Sequence, residues 1–228
     1  QVLASGRLRV GTTGDYAPFS YSGDDLSFTG IDIDLALNLA KHLDVELILI
    51  KTSWPDLMND LAAGLFDIAM SGVSITPARQ QHAYFSAPYH VGGKSPITLC
   101  SRVHEFSSLG AIDQPGVRAI VNPGGTNERF VDTKLRRAEK VLHQDNRTIF
   151  NELIKGNADL MITDSIEVRL QQNLRPELCA SMPGETLTYQ EKGYMMPKDS
   201  ALNLAVNQWL EKVRAQDILE RTFEQHLN

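Results

Sequence analysis

No stretch of this 228-residue chain approaches the roughly 18 consecutive apolar residues of a membrane-spanning helix, so no membrane span is expected. Nor is there a long run of lysine and arginine. With 22 basic against 28 acidic side chains, the net charge of −6 argues against a nucleic-acid binder. Glycine and proline are not enriched, which excludes a low-complexity or fibrous chain and leaves a folded globular one. Cysteine is scarce. Cys100 and Cys179 each end an apolar, strand-like run, and neither belongs to a CxxC pair. They could form one disulfide in an oxidising compartment or remain two buried thiols, and the spacing leaves both open. The six histidines do not cluster at ligand spacing, so no metal site is expected. The chain opens on Gln1, not Met, and the expectation is that a leader was removed, a cleaved export signal being one source.

The most informative stretch is DIAMSGVSITPARQQHAYFSAPY, residues 67–89. A short apolar strand over 68–70 breaks into the small residues Ser71, Gly72, Val73 and Ser74. A helix start follows, with Thr76 at the cap, Pro77 at the first helical position and Arg79 one turn in. Small residues at the carboxyl end of a strand, before a helix N-terminus, can offer backbone N–H groups to an anion. The five-donor fork of Arg79 matches a carboxylate. A surface arginine on an ordinary strand–turn–helix fits the spacing equally well.

Around this stretch the pattern predicts alternation of strands and helices. Strands are expected over 7–13 and 46–51, and helices over 32–43 (stripe Leu35, Leu39, Leu43) and 56–65. The residues between the first strand and first helix read as loop and turn, presenting Tyr16 and Phe19, while Trp54 follows the second strand. The order β-α-β-α-β implies a parallel sheet with right-handed crossovers. The segment HVGGKSP reads as a hinge carrying Lys94, ahead of a strand over 97–100. The pattern then repeats. Strands are expected at 118–121, 141–142, 160–163 and 179–182, with helices from after Asn127 to about 138, over 147–155 and over 164–174. A late strand covers 194–196. One or two helices span 203–226, with Leu204, Trp209, Leu210, Val213, Ile218 and Phe223 as the buried set. The fold class expected is therefore α/β in two lobes. Lobe 1 comprises residues 1–91 plus 191–228 and lobe 2 residues 92–190, with a two-strand hinge near 90–95 and 186–193 and a ligand cleft between the lobes.

In the second lobe, Gly124, Gly125, Thr126 and Asn127 sit between a strand and a helix, where a ligand anion could approach the backbone, or where a turn could simply cap the helix. Asp164 and Glu167 open the helix after LMIT. The spacing D-x-x-E is a capping box, in which Asp164 caps and Glu167 reaches back. The same spacing could turn two carboxylates toward a ligand. Asp164 would then bind a cation such as an ammonium, and a desolvated Glu167 could donate a proton. Lys94 could be solvated or aimed at the ligand, and Trp54 could wall a pocket or fill the core.

Taken together, these residues resemble a family. The segments GTTGDYAPFSY, GIDIDLALNLAKHL and DIAMSGVSITPARQQHAYFSAPY, with the Gly-Gly-Thr helix start, resemble the periplasmic solute-binding proteins of the polar amino-acid type over nearly the whole chain. That resemblance implies a type II periplasmic-binding fold. It implies a ligand α-carboxylate held by Arg79 with Ser71, Gly72 and Ser74, an aromatic contact from Tyr16, second-lobe contacts from Gly125, Thr126 and Asn127, and an α-ammonium held by Asp164. A narrower likeness rests on TSWPDLM, GKSPITLCS, AIDQPGV, AIVNPGGTNERF, ADLMITDSIEVRLQ and RPELCA. These resemble the cyclohexadienyl dehydratases, exported enzymes of this fold that convert prephenate to phenylpyruvate and L-arogenate to L-phenylalanine. The likeness implies Glu167 as general acid, with Lys94 and Asn127 assisting and Trp54 in the pocket. It further implies a small-molecule substrate, no cofactor, a periplasmic location and a monomer or small homo-oligomer. The competing expectation is a non-catalytic amino-acid-binding protein that serves an ABC transporter.

Overall fold

The computed structural model describes residues 2–25 and 27–228. The chain divides into two compact units, residues 1–91 with 191–228, and residues 92–190. It crosses between them within two short strands, His90–Gly92 and Gln190–Lys192.

The first unit is built on a five-stranded sheet in the order Glu46–Lys51, Arg7–Thr12, Ile68–Ala69, Met195–Met196, Tyr84–Phe85. The first three strands run parallel, as β-α-β-α-β order requires. The remaining two join antiparallel, so the sheet is mixed and not all-parallel as the repeat implies. The reason is chain order. Tyr84–Phe85 and Met195–Met196 enter from segments that lie outside the β-α-β repeat.

The helix Ile31–His42 covers this sheet through Leu35, Ala36, Leu39 and Ala40, all buried at helical spacing. Residues that read as loop and turn instead form a small antiparallel sheet of Asp15–Tyr16, Ser20–Ser22 and Phe28–Thr29. Strands of two or three residues are too short to show a period. The last two helices are Ser200–Ala215 and Ile218–Leu227. Leu204, expected in the core, is 59 % exposed. The buried stripe is Val206, Trp209, Leu210 and Val213, spaced i, i+3, i+4, i+7, and Leu204 falls about 200° round the helix from Val206. Ile218 and Phe223 are half-buried.

The second unit has its own five-stranded sheet, in the order Glu139–Leu142, Arg118–Val121, Leu160–Asp164, Lys94–Leu99, Leu178–Ala180. The first three are parallel. Lys94–Leu99 runs antiparallel to both its neighbours. Lys94 is thus not a linker residue, as the Gly92-Gly93 pair suggests, but the first residue of a buried central strand. Gly93 ends the irregular chain because nothing larger fits. A Cβ there would sit 1.8 Å from the Thr188 carbonyl oxygen. Two apolar clusters form the core. One packs Ile97, Ile120, Phe150 and Leu153 together, and the other Phe106, Val121, Phe130 and Ile162. Of the two states open to the cysteines, the structure takes the disulfide. Cys100–Cys179 closes the end of Lys94–Leu99 onto Leu178–Ala180, with Cα atoms 4.8 Å apart.

Candidate functional site

In the first unit, Thr76 caps the helix Pro77–Gln80, its side-chain oxygen accepting from the Arg79 backbone N–H at 3.3 Å. This fixes the base of Arg79. Its guanidinium donates from Nη1 to the Ser74 carbonyl at 2.9 Å and lies 5.9 Å from the centre of the Trp54 ring. Trp54 in turn donates to Asp15 at 3.1 Å and meets Tyr16 edge-on, with ring centres 6.0 Å apart. Arg79, Trp54, Tyr16 and Ser74 are therefore gathered on one loop cluster. Ser71 and Gly72 play a different part from the one expected. The Ser71 hydroxyl is fully buried and engages Thr13, accepting from its backbone N–H at 3.0 Å and pairing with its hydroxyl at 2.8 Å. The Gly72 N–H, expected for a ligand anion, donates instead to Asp32 at 2.6 Å. A folded loop must satisfy its own donors, and these two are spent internally.

Sequence reasoning missed the groups that hold this loop. Asp32 is fully buried and accepts from Gly72 N–H, from the Tyr89 hydroxyl at 2.7 Å and from the Tyr194 hydroxyl at 3.0 Å. Burial pushes its carboxyl up to about 6, against the opposing pull of those hydrogen bonds and of the Lys192 charge. Burial likewise holds both tyrosines well above the usual phenol range. Lys192 is buried beneath the loop, donating to the Gly72 carbonyl at 2.7 Å and to the Ser74 hydroxyl at 3.3 Å, with its ammonium 5.0 Å from the centre of the Tyr16 ring. A signal for Asp32 existed. It lies on the same helical stripe as Leu35, Ala36 and Leu39, and an acid on an apolar stripe needs buried partners. Lys192 had no such signal, because its strand is three residues long. A groove of about 770 Å³ in this unit, lined by Tyr84, Phe85, Asn203 and Leu204 among others, contains none of the candidate residues.

In the second unit, Lys94, Thr126, Asn127, Asp164 and Glu167 come together with Thr163, which the sequence did not single out. The Lys94 ammonium, 1 % exposed, donates to Thr126 Oγ1 at 2.8 Å, Asn127 Oδ1 at 2.5 Å and Asp164 Oδ1 at 2.8 Å. Asn127 Nδ2 donates to Thr163 Oγ1 at 3.0 Å, and the Thr163 hydroxyl donates to Glu167 Oε2. Glu167 is 2 % exposed and Asp164 7 %. The reciprocal capping box suggested by D-x-x-E does not form. Asp164 stands at the cap position of the helix Ser165–Leu174 but makes no side-chain cap bond, its carboxylate going to Lys94 instead. A full ammonium charge on the neighbouring strand offers more than a neutral backbone N–H. Gly125 stands at the cap of the helix Thr126–Lys134, where Glu128 reaches back to accept from the Gly124 N–H at 2.7 Å. Among the described residues no group of three or more histidine, cysteine or acidic side chains is placed to hold a metal ion, and no helix is long and apolar enough to cross a membrane.

Two α/β units joined by paired crossings, one presenting an arginine loop and the other a buried acid–lysine cluster, define the class of two-lobe small-molecule-binding proteins. The chain belongs to the bacterial extracellular solute-binding proteins, family 3, whose family model matches residues 8–228. It is 51 % identical to the cyclohexadienyl dehydratase of Pseudomonas aeruginosa, over 100 % of this chain and 85 % of that protein. Among solved structures it is similar to AncCDT-1, an ancestral amino acid-binding protein described as a precursor of cyclohexadienyl dehydratase. There the TM-score is 0.92 at 32 % identity, covering 100 % of this chain and 98 % of the other. A variant of the ancestral cyclohexadienyl dehydratase AncCDT-3 matches at 46 % identity with a TM-score of 0.61, covering 99 % of this chain and 94 % of the other.

Proposed function

We propose that this protein is a periplasmic carbon–oxygen lyase, a cyclohexadienyl dehydratase that converts prephenate to phenylpyruvate and L-arogenate to L-phenylalanine, with Glu167 as general acid. One observation carries the reading. Glu167 lies buried at the start of a helix whose capping box is not made, and its carboxyl is held by the buried Thr163 hydroxyl. A buried carboxyl with a fixed side-chain partner is poor helix chemistry and suitable proton-donor chemistry. The 51 % identity to a named dehydratase supports it.

In the proposed reaction, Glu167 gives its proton to the ring hydroxyl, whose C–O bond breaks to release water. The bond between the ring and its carboxylate breaks in the same sense. Its electron pair enters the ring, carbon dioxide leaves, and the ring becomes aromatic. Arg79 takes the side-chain carboxylate with its guanidinium fork. Trp54 and Tyr16 supply apolar wall. Ser71 and Gly72 serve by shaping the loop, and Gly125 by letting the anion approach the helix start closely. An ammonium has three donors and no acceptor, so Thr126 and Asn127 must accept from Lys94. The Thr126 hydroxyl proton is then left to donate, which suits the ring carboxylate. Lys94 acts by orienting these groups, and Asp164 balances its charge.

Prephenate turnover, followed through phenylpyruvate, tests the reading on wild type and Glu167→Gln side by side. General acids contribute about 10²- to 10⁴-fold, so the variant should lose at least about a hundredfold in kcat while KM holds. Equal activity would remove Glu167 from its role. A second reading, a binding protein without catalysis, draws on the similarity to AncCDT-1. Calorimetric binding of an amino acid by a wild type that turns over neither substrate would establish it.

A further inference from the structure

The second-unit cluster contains a hydrogen-bond chain whose direction is fixed at one end. Lys94 can only donate, so the Asn127 side-chain atom that faces it must be the oxygen. The amide nitrogen therefore faces Thr163 and donates to its hydroxyl oxygen. That hydroxyl is fully buried, and its own proton goes on to Glu167 Oε2. We infer that Thr163 is a positioning residue which, driven by Lys94 through Asn127, keeps Oε2 of Glu167 a hydrogen-bond acceptor and so assigns the carboxyl's transferable proton to Oε1. Nothing in this ordering depends on which ligand the protein takes. Only its kinetic consequence rests on the dehydratase reading. In that reading the acid presents its proton from one oxygen in one orientation, and the chain removes the alternative in which the proton points back at Thr163 and away from substrate.

The ordering also explains why so much polarity is buried around one acid. Lys94, Thr163 and Glu167 are each 2 % exposed or less, and such a set of polar groups is costly in an interior unless each is paired. A fully connected chain of this kind fixes one arrangement, whereas a broken one leaves buried donors orphaned.

Neutron diffraction from deuterium-exchanged wild-type crystals tests the ordering directly. The expected map places deuterium on Asn127 Nδ2 facing Thr163, places the Thr163 deuteron on the line to Glu167 Oε2, and leaves Oε2 without one of its own. A deuteron on Oε2, or a Thr163 hydroxyl aimed elsewhere, overturns the inference whatever the protein's activity. Kinetics give the second arm. Thr163→Val keeps the shape and deletes the hydroxyl, and kcat for prephenate should fall about tenfold or more with KM within about twofold, while Thr163→Ser restores most of it. A Val variant as fast as wild type, or a Ser variant as slow as Val, rejects the positioning role. If wild type itself does not turn over prephenate, the proposed activity fails and the neutron map alone decides the ordering.

Discussion

Two buried aspartates show how the same residue type is put to opposite uses. Asp32 is dominated by desolvation, which lifts its carboxyl from 3.8 to about 6. Between those values the native state holds a proton that the unfolded chain has released. Asp32 therefore stabilises the fold relative to higher pH below about 4, and that contribution is lost as pH rises through about 6. Asp159 lies between Arg102 and Arg118, at 2.7 and 3.0 Å, and its carboxyl is held down near 2, the two arginines outweighing its burial. Its contribution is present above about 4 and fades as pH falls toward 2. Urea unfolding from pH 3 to 7 should show the two apart. Asp32→Asn should flatten the decline between about 4 and 6, and Asp159→Asn should flatten the loss at the acid end. Asp32→Asn should also cost about 1–3 kcal/mol near neutral pH, since an amide cannot accept all three donors. An unchanged profile in either variant would show that the network around that acid does not shape stability. Gly93 is the other position where one residue decides. Its Cβ would overlap the Thr188 carbonyl, so Gly93→Ala should lower the melting temperature by several degrees.

Among the elements, the strand Lys94–Leu99 has most to hold. It is hydrogen-bonded on both sides, starts at the buried lysine and ends at the disulfide. The Cys100–Cys179 bridge spans 79 residues of sequence, and in the chain-entropy account a loop of that length contributes about 4.5 kcal/mol. Replacing both cysteines by alanine should lower the denaturant midpoint without changing the fold by circular dichroism. A midpoint within error of wild type would show that the reduced chain is already restrained there. The helix Ser165–Leu174 makes the complementary point. Its cap residue has been drawn off by Lys94, so the helix start forgoes the usual cap bond, worth about 1 kcal/mol. Lys94→Met should release Asp164 toward that ordinary role while disordering Thr126 and Asn127. The expected outcome is a protein that still folds and turns prephenate over at least about tenfold more slowly. Undiminished turnover would mean that Lys94 orients nothing of consequence.

For the molecule as a whole, an acidic chain that takes an anionic ligand must do so through local fields, not net charge. In the proposed reading those sources would be Arg79 in one unit and Lys94 with a helix start in the other. The fold is shared by binders and enzymes, and the relatives include both kinds, so architecture cannot decide between them. The decision falls on Glu167 and its neighbours, which is why turnover by wild type and Glu167→Gln outweighs any measurement of affinity.

By itself the sequence determined the alternation of strands and helices, the family and most of the candidate residues. Apolar periodicity and local caps such as Thr76 at Arg79 act over a few residues, and the family motifs are contiguous. It also misleads in places. Leu204 reads as core from its hydrophobicity alone, and the small sheet around Tyr16 reads as turn because its strands are too short to show a period. Only the tertiary structure decided the partners. Asp164 and Glu167 have the spacing of a capping box, but Lys94 lies 70 residues away in sequence from the aspartate it engages. Asp32 reaches Gly72, Tyr89 and Tyr194 across separations of 40, 57 and 162. A buried charge takes the strongest partner that packing brings within reach, and local spacing carries no record of which partner that will be.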